Sequence, residues 1–140
     1  MKIVMREIKF RGYNRKNNVW LYGFYLQNRG AHFVVPDEFA DGKSWDDYEI
    51  DPATLGQYTG LKDRNGREIY EGDVVATEVN GCRYVQEVFW SDVTNGFSFR
   101  GHGCGPMFHK SSCMEVIGNI HDRSATQGDA CQSKNPELMK

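Results

Sequence analysis

The stretch QYTGLKDRNGREIYEGDVV, residues 57–75, decides the fold because turn-forming and strand-forming residues alternate along it. Residues 65–66 are Asn-Gly, a dipeptide that tolerates the positive φ angles of a tight hairpin turn. Residues 71–73, Glu-Gly-Asp, supply a second turn before a pair of valines. The stretch therefore predicts three strands joined by two turns.

The N-terminal side of this stretch predicts an antiparallel sheet. Residues 8–11 alternate apolar and basic side chains, as a half-buried strand does, and residues 19–27 form the return strand of a hairpin. Both faces of the return strand are largely apolar or aromatic, which is typical of a central strand or of one covered by a partner subunit. Residues 31–35 add a short strand. Residues 51–55, Asp-Pro-Ala-Thr-Leu, predict one helical turn, because Asp can cap the first amides and Pro suits the first helical position.

The C-terminal side predicts a small barrel. Short strands are expected at residues 74–79, 84–90 and 97–99, with a closing strand at residues 114–120. A Gly-Asp turn followed by several short, bent strands is typical of SH3-like barrels, in which closing the sheet removes its exposed edges. We therefore expect a mainly β fold, β-rich with minor α, in which an N-terminal antiparallel sheet is joined to a C-terminal SH3-like small barrel.

Length and composition divide the chain into three regions. With 140 residues, it is long enough for one compact domain or for two small modules that share a core. We expect a hairpin and sheet region at residues 1–56, in which residues 37–51 form an acidic loop. Residues 57–122 are expected to form the barrel together with the signature hairpin, which lies within residues 57–75. Residues 123–140 are expected to form a polar linker and tail, because they hold little to bury. One compact domain would then span residues 5–122.

Three blocks of the sequence resemble the YopX family of phage and prophage proteins. Residues 5–11, MREIKFR, are similar to the usual opening of YopX-type proteins. Residues 57–75 are similar to their centre, and residues 116–120, VIGNI, to their closing strand. The resemblance implies a phage or prophage origin and a family whose function is uncharacterised.

Charge is nearly balanced over the chain but unevenly distributed along it. The net charge of −2 comes from 17 basic and 19 acidic residues, so there is no strong overall bias towards nucleic acid or an anionic membrane. Residues 1–18 hold six basic side chains, and residues 37–51 hold seven acidic ones. The two segments either face each other, within the fold or across a subunit interface, or form two solvated surfaces. The sequence favours solvated surfaces.

The location is expected to be the cytoplasm of a bacterial host. No apolar run approaches the length of a membrane span, and the first ten residues, MKIVMREIKF, alternate charge with hydrophobicity instead of forming a signal-peptide core. The four cysteines have no close paired spacing, so free thiols are expected in preference to a disulfide framework.

Two groups of residues are candidates for chemistry. Glu68, Glu71 and Asp73 bring three carboxylates together, but the glycine before Asp73 indicates a turn in which acids cap backbone amides instead of holding a metal. The second group has the spacing H-x-C-x4-H-x3-C, and its order lacks the Cys-x-x-Cys knuckle of familiar zinc sites. We therefore expect no metal, no cofactor and no enzyme. The members of the second group are His102, Cys104, His109 and Cys113.

Two classes of function stay open. The first is a non-enzymatic accessory protein that binds an unidentified host or phage protein and forms a homo-oligomer. The alternative is a nucleic-acid-binding accessory factor, because small barrels bind strands by combining basic grooves with stacking aromatics. Its candidate phosphate contacts are Arg6, Lys9, Arg11, Arg15 and Lys16, and its candidate stacking residues are Tyr13 and Trp20.

Overall fold

The structure is a computed structural model that describes residues 6–38, 40–102 and 111–122. Within these ranges nine strands are present, and helical structure is limited to two 3-10 turns, Trp45–Asp47 and Ser111–Cys113. The mainly β class expected from the sequence is confirmed. The strands are β1 (Phe10–Asn14), β2 (Val19–Asn28), β3 (Ala31–Val35), β4 (Asp51–Lys62), β5 (Glu68–Tyr70), β6 (Asp73–Val79), β7 (Cys82–Ser91), β8 (Gly96–His102) and β9 (Met114–Asn119).

The strands form two sheets. One has five strands in the order β3-β2-β1-β4-β5, and the other has four in the order β8-β7-β6-β9. The chain divides into two compact units, residues 1–60 and residues 61–140. The closed SH3-like barrel and the three-part division of the chain stay predictions.

Strand β2 lies between β1 and β3, which is the central position that the sequence left open as one of two explanations for its apolar faces. Its first half pairs with β1, from Phe10 opposite Gly23 to Asn14 opposite Val19, and its second half pairs with β3. The change of partner takes place at Gly23, where an added Cβ atom would lie 1.9 Å from the carbonyl oxygen of Val35. Only glycine therefore lets β2 and the end of β3 come this close.

The helical turn expected at residues 51–55 is wrong, because this segment begins strand β4. Asp51 does cap a nearby amide, since its Oδ1 accepts a hydrogen bond from the Ala53 amide at 3.1 Å. Thr54 then draws the segment onto β1: its Oγ1 accepts from the Tyr13 amide at 2.8 Å. Asp51 pairs opposite Tyr13, so pairing with β1 overrides the local helical signal.

The acidic loop before β4 covers the outer edge of β3. The Val34 amide donates to the Tyr48 carbonyl at 3.0 Å, and the Ile50 amide donates to the His32 carbonyl at 2.9 Å. Tyr48 and Ile50 are buried. Ile50 packs so closely on Gly12 that a Cβ atom there would lie 2.5 Å from the Ile50 side chain. The loop thus protects an edge that would otherwise present unpaired backbone groups.

The two predicted turns of residues 57–75 are both present in the second unit. At the first, the Gly66 amide donates to the Asp63 carbonyl at 3.0 Å, and Gly66 alone of the Asn-Gly pair has a positive φ, +82°. At the second, Gly72 has a φ of +93°, and its amide donates to the Val88 carbonyl at 2.8 Å. The Asp73 carboxylate accepts from the Tyr70 amide at 2.8 Å, so it caps the turn as expected.

A compact apolar core lies on one face of the four-stranded sheet. Val75 opposes Val116 across β6 and β9, and Val88 opposes Phe99 across β7 and β8, so these side chains share that face. Ile69 packs against the same cluster. The core residues are Ile69, Val75, Val88, Met114 and Val116, with Phe99 packed against them.

The cysteines differ from the expectation of free thiols. Cys82 is disulfide-bonded, whereas Cys113 is a free and exposed thiol. The expectation is wrong for Cys82 because spacing along the sequence does not report the distance between sulfur atoms in the folded chain.

In the described part of the chain, no helix has the length and apolar character needed to cross a membrane.

Candidate binding surface

Four aromatic side chains share one face of the β1–β2 hairpin. Tyr13 opposes Trp20, and Arg11 opposes Tyr22, so these side chains project from the same side of the sheet. Phe24, two residues beyond Tyr22 on the same strand, belongs to that side as well. We call Tyr13, Trp20, Tyr22 and Phe24 the aromatic face.

Two side chains of the aromatic face are half-exposed, and the other two contact each other. Tyr22 is 46% exposed and Phe24 is 52% exposed. The Tyr13 and Trp20 rings meet edge to face, with centroids 5.4 Å apart. The Arg11 guanidinium, only 4% exposed as a residue, lies 5.0 Å from the centroid of the Trp20 ring. Ring and cation contacts therefore hold the Trp20 side chain in place.

The opposite face of the hairpin is closed by the acidic loop. Gly12 packs against Ile50, and the Asn14 side-chain amide donates to the carbonyl oxygens of Asp46 at 3.1 Å and Glu49 at 2.8 Å. Asn14 is buried. The two faces of β1 and β2, which have similar apolar character in the sequence, are therefore distinct in the fold.

The basic residues proposed as phosphate contacts are mostly engaged with carboxylates. The guanidinium of Arg15 bonds the Asp51 carboxylate at 2.5 Å, a contact that raises the pKa of Arg15. The Lys16 ammonium lies 2.9 Å from Asp47 and 3.1 Å from Asp46. Hydrogen bonds to Asp47 and Asp46 raise the pKa of Lys16.

The remaining two basic residues lie towards the start of the described chain. Lys9 forms an ion pair with Glu7 at 3.2 Å, and its ammonium lies 5.4 Å from the centroid of the Tyr58 ring. Arg6 is exposed. The structure therefore brings Arg11, Tyr13 and Trp20 together, while Lys9, Arg15 and Lys16 pair with carboxylates.

The basic and acidic segments meet within the fold. Asp46 and Asp47 accept from Lys16, and Asp47 also accepts from the Asn17 side chain at 3.0 Å. The pKa of Asp47 lies well below its usual value. The largest cause is the hydrogen bond that the Ser44 amide donates to its carboxylate, and hydrogen bonds from Lys16 and Asn17 lower the pKa further. Of the alternatives left open by the sequence, the one in which the two segments face each other within the fold is found for these residues, and their ion pairs lie at the exposed surface instead of forming two separate solvated surfaces.

The two groups considered for chemistry do not form a site in the described structure. The Tyr70 hydroxyl donates to Glu68 at 2.9 Å, and Asp73 caps the Tyr70 amide. No cluster of three His, Cys, Asp or Glu side chains able to hold a metal occurs within residues 6–38, 40–102 and 111–122. The central part of the H-x-C-x4-H-x3-C pattern, residues 103–110, lies outside the described residues.

Tyr22 and Phe24 were not among the site residues proposed from the sequence. Their alternation with Leu21 and Gly23 placed them on one strand face with Trp20. What the sequence did not report is which face the acidic loop would cover. The face that the loop covers determines which side chains stay half-exposed.

Comparison with known proteins identifies the family. A family model described as YopX protein matches residues 9–126. The chain belongs to the YopX family. The YopX match includes every strand from β1 to β9, and the resemblance noted in three blocks of the sequence is confirmed.

A solved structure shares the fold of this YopX chain. Protein EF1440 from Enterococcus faecalis superposes with a TM-score of 0.54 at 24% sequence identity. The similarity covers 97% of this chain and 100% of that one. No curated protein matches the sequence. At this identity the likeness to EF1440 concerns the fold alone.

Proposed function

We propose that this YopX-family chain is a non-enzymatic binding module that docks a protein partner on its aromatic face. The observation that carries the proposal is the half-exposure of Tyr22 and Phe24 beside a Trp20 ring that Tyr13 and Arg11 already position. Rigid aromatic side chains supply large contact areas at a low entropic cost, and tyrosine and tryptophan are enriched in binding hot spots.

The partner in this proposal is a host or phage protein. Family membership supports a phage or prophage-encoded accessory protein that works in the cytoplasm of a bacterial host. Self-association through the same face is part of the proposal, because a self-complementary patch can form a two-fold symmetric interface.

The proposal is tested by comparing partner recovery among three forms of the full chain. The test variant carries Tyr22→Ser and Phe24→Ser, and the matched control carries Val93→Ser, since Val93 is 91% exposed and lies in the other unit. Each form is used to capture proteins from a lysate of the host bacterium, and the captured proteins are quantified by mass spectrometry. We expect one or more proteins to be recovered by the wild type and the control and lost by the double variant.

Recovery that is equal in all three forms would place the binding surface away from the aromatic face. Melting curves of the three forms provide the folding control. We expect the control to melt as the wild type does, and the double variant to melt at a lower temperature but in one cooperative transition, because about half of each aromatic side chain is buried.

Nucleic-acid binding is the second candidate function. Tyr13 and Trp20 are partly exposed and lie close to Arg11, an arrangement that supports base stacking beside a cation. The carboxylate partners of Arg15 and Lys16 weaken this candidate, because those cations would have to give up ion pairs to bind phosphate.

Fluorescence anisotropy with labelled single-stranded DNA separates the two candidates. Binding that weakens steeply as salt is raised would support the nucleic-acid function. An unchanged anisotropy at low salt would eliminate it and would leave the protein-binding proposal intact.

A further inference from the structure

We draw no further inference here: the strongest candidate, the half-exposed aromatic face of strands β1 and β2, already carries the proposed binding function, and nothing in the structure shows what covers it.

Discussion

At the scale of single residues, Asp63 holds the signature hairpin to the closing strand of the second unit. Its Oδ1 accepts from the amides of Asn65 at 2.8 Å and Arg67 at 2.9 Å, and its Oδ2 accepts from the Val116 amide at 2.9 Å. The adjacent Arg64 amide donates to the Met114 carbonyl at 2.9 Å. One buried carboxylate therefore satisfies three backbone donors, two in a turn and one in β9.

Replacing Asp63 with Asn tests this role. An Asn side chain presents one neutral oxygen in place of two charged ones, so all three amides lose a charged acceptor and at least one loses its acceptor altogether. We expect the free energy of unfolding to fall by about 2 kcal/mol, measured by urea denaturation. Asp92→Asn in the exposed β7–β8 turn is the matched control, and an equal loss in both variants would contradict the role of Asp63.

The same carboxylate makes stability depend on pH. Burial acts to raise the pKa of Asp63, but hydrogen bonds from the Val116, Arg67 and Asn65 amides outweigh it and hold the pKa below the ordinary value of 3.8. A lowered pKa in the folded state adds stability above pH 3.8, and this contribution is lost as the pH falls through the folded-state pKa. We expect the urea midpoints of wild type and Asp63→Asn to converge below pH 4. A difference that stays constant from pH 7 to pH 2 would contradict this assignment.

Thr77 is a polar residue in an apolar environment. It is 2% exposed, and its Oγ1 has no hydrogen-bond partner in the part of the chain that the structure describes. Removing an unsatisfied buried hydroxyl while keeping the shape of the side chain should stabilise the protein, so Thr77→Val is expected to raise the free energy of unfolding by about 1 kcal/mol.

Thr54→Val is the matched control for Thr77→Val. The Thr54 hydroxyl accepts from the Tyr13 amide and donates to the Asp51 carbonyl at 2.6 Å. This variant is expected to lower the free energy of unfolding by about 1–2 kcal/mol, because the partly buried Tyr13 amide and Asp51 carbonyl lose their hydrogen bonds. Destabilisation by both variants would show that the Thr77 hydroxyl has a stabilising contact after all.

At the scale of elements, the acidic loop gains its position from packing and backbone pairing more than from its exposed ion pairs. The backbone bonds of Tyr48 and Ile50 to β3 are accompanied by burial of both side chains. The ion pairs of Arg15 and Lys16 are exposed, and such pairs contribute little to stability because water and salt screen them. They join the loop to the β1–β2 turn, where Arg15 and Lys16 lie.

The close approach of β2 to the end of β3 at Gly23 gives the prediction at the scale of elements. In Gly23→Ala the new Cβ atom would overlap the Val35 carbonyl group, which is backbone and moves only if β3 shifts. We expect a loss of about 2–3 kcal/mol in the free energy of unfolding. Gly96→Ala is the control, since its nearest neighbour would be the Thr94 carbonyl oxygen at 4.0 Å. A tolerated Gly23→Ala would contradict the close approach of the strands.

At the scale of the whole molecule, the two units differ in the surfaces of their sheets. In the second unit, charged pairs occupy the sheet face opposite the core: Arg100 pairs with Glu87, and Arg64 pairs with Glu115, both at 3.5 Å. The Arg100 guanidinium also lies 4.1 Å from the centroid of the Phe89 ring. A polar outer face is usual for an antiparallel sheet in contact with water. The aromatic face of the first unit instead presents the half-exposed side chains of Tyr22 and Phe24.

The self-association included in the proposed function gives the prediction at the scale of the whole molecule. If the aromatic face pairs with a second copy, sedimentation velocity should show a concentration-dependent shift from monomer to dimer. Tyr22→Ser with Phe24→Ser should abolish the shift, and Val93→Ser should preserve it. A wild type that sediments as a monomer at every concentration would remove self-association from the proposed function and leave a different protein as the partner.

Local features of the structure were predictable from the sequence alone. The turns at residues 63–66 and 71–73 follow from turn chemistry that depends on adjacent residues. The YopX family follows from the resemblance of three short blocks of the sequence. Residues 51–55 are the instructive failure, because Asp and Pro carry a helical signal that pairing with β1 overrides. The cysteine spacing likewise failed to predict the disulfide of Cys82, because the fold and not the spacing decides which sulfur atoms meet.

The sequence by itself determined the β class, the main turns and the family, because each depends on residues that are neighbours along the chain. Tertiary structure alone decided which face of the β1–β2 hairpin is covered and which carboxylates meet which cations. Lys16 bonds Asp46 across 30 positions, and Arg15 bonds Asp51 across 36. Packing of the acidic loop on Gly12 and Asn14 closes one face and leaves Tyr22 and Phe24 half-exposed on the other, and no local pattern distinguishes two faces of equal apolar character.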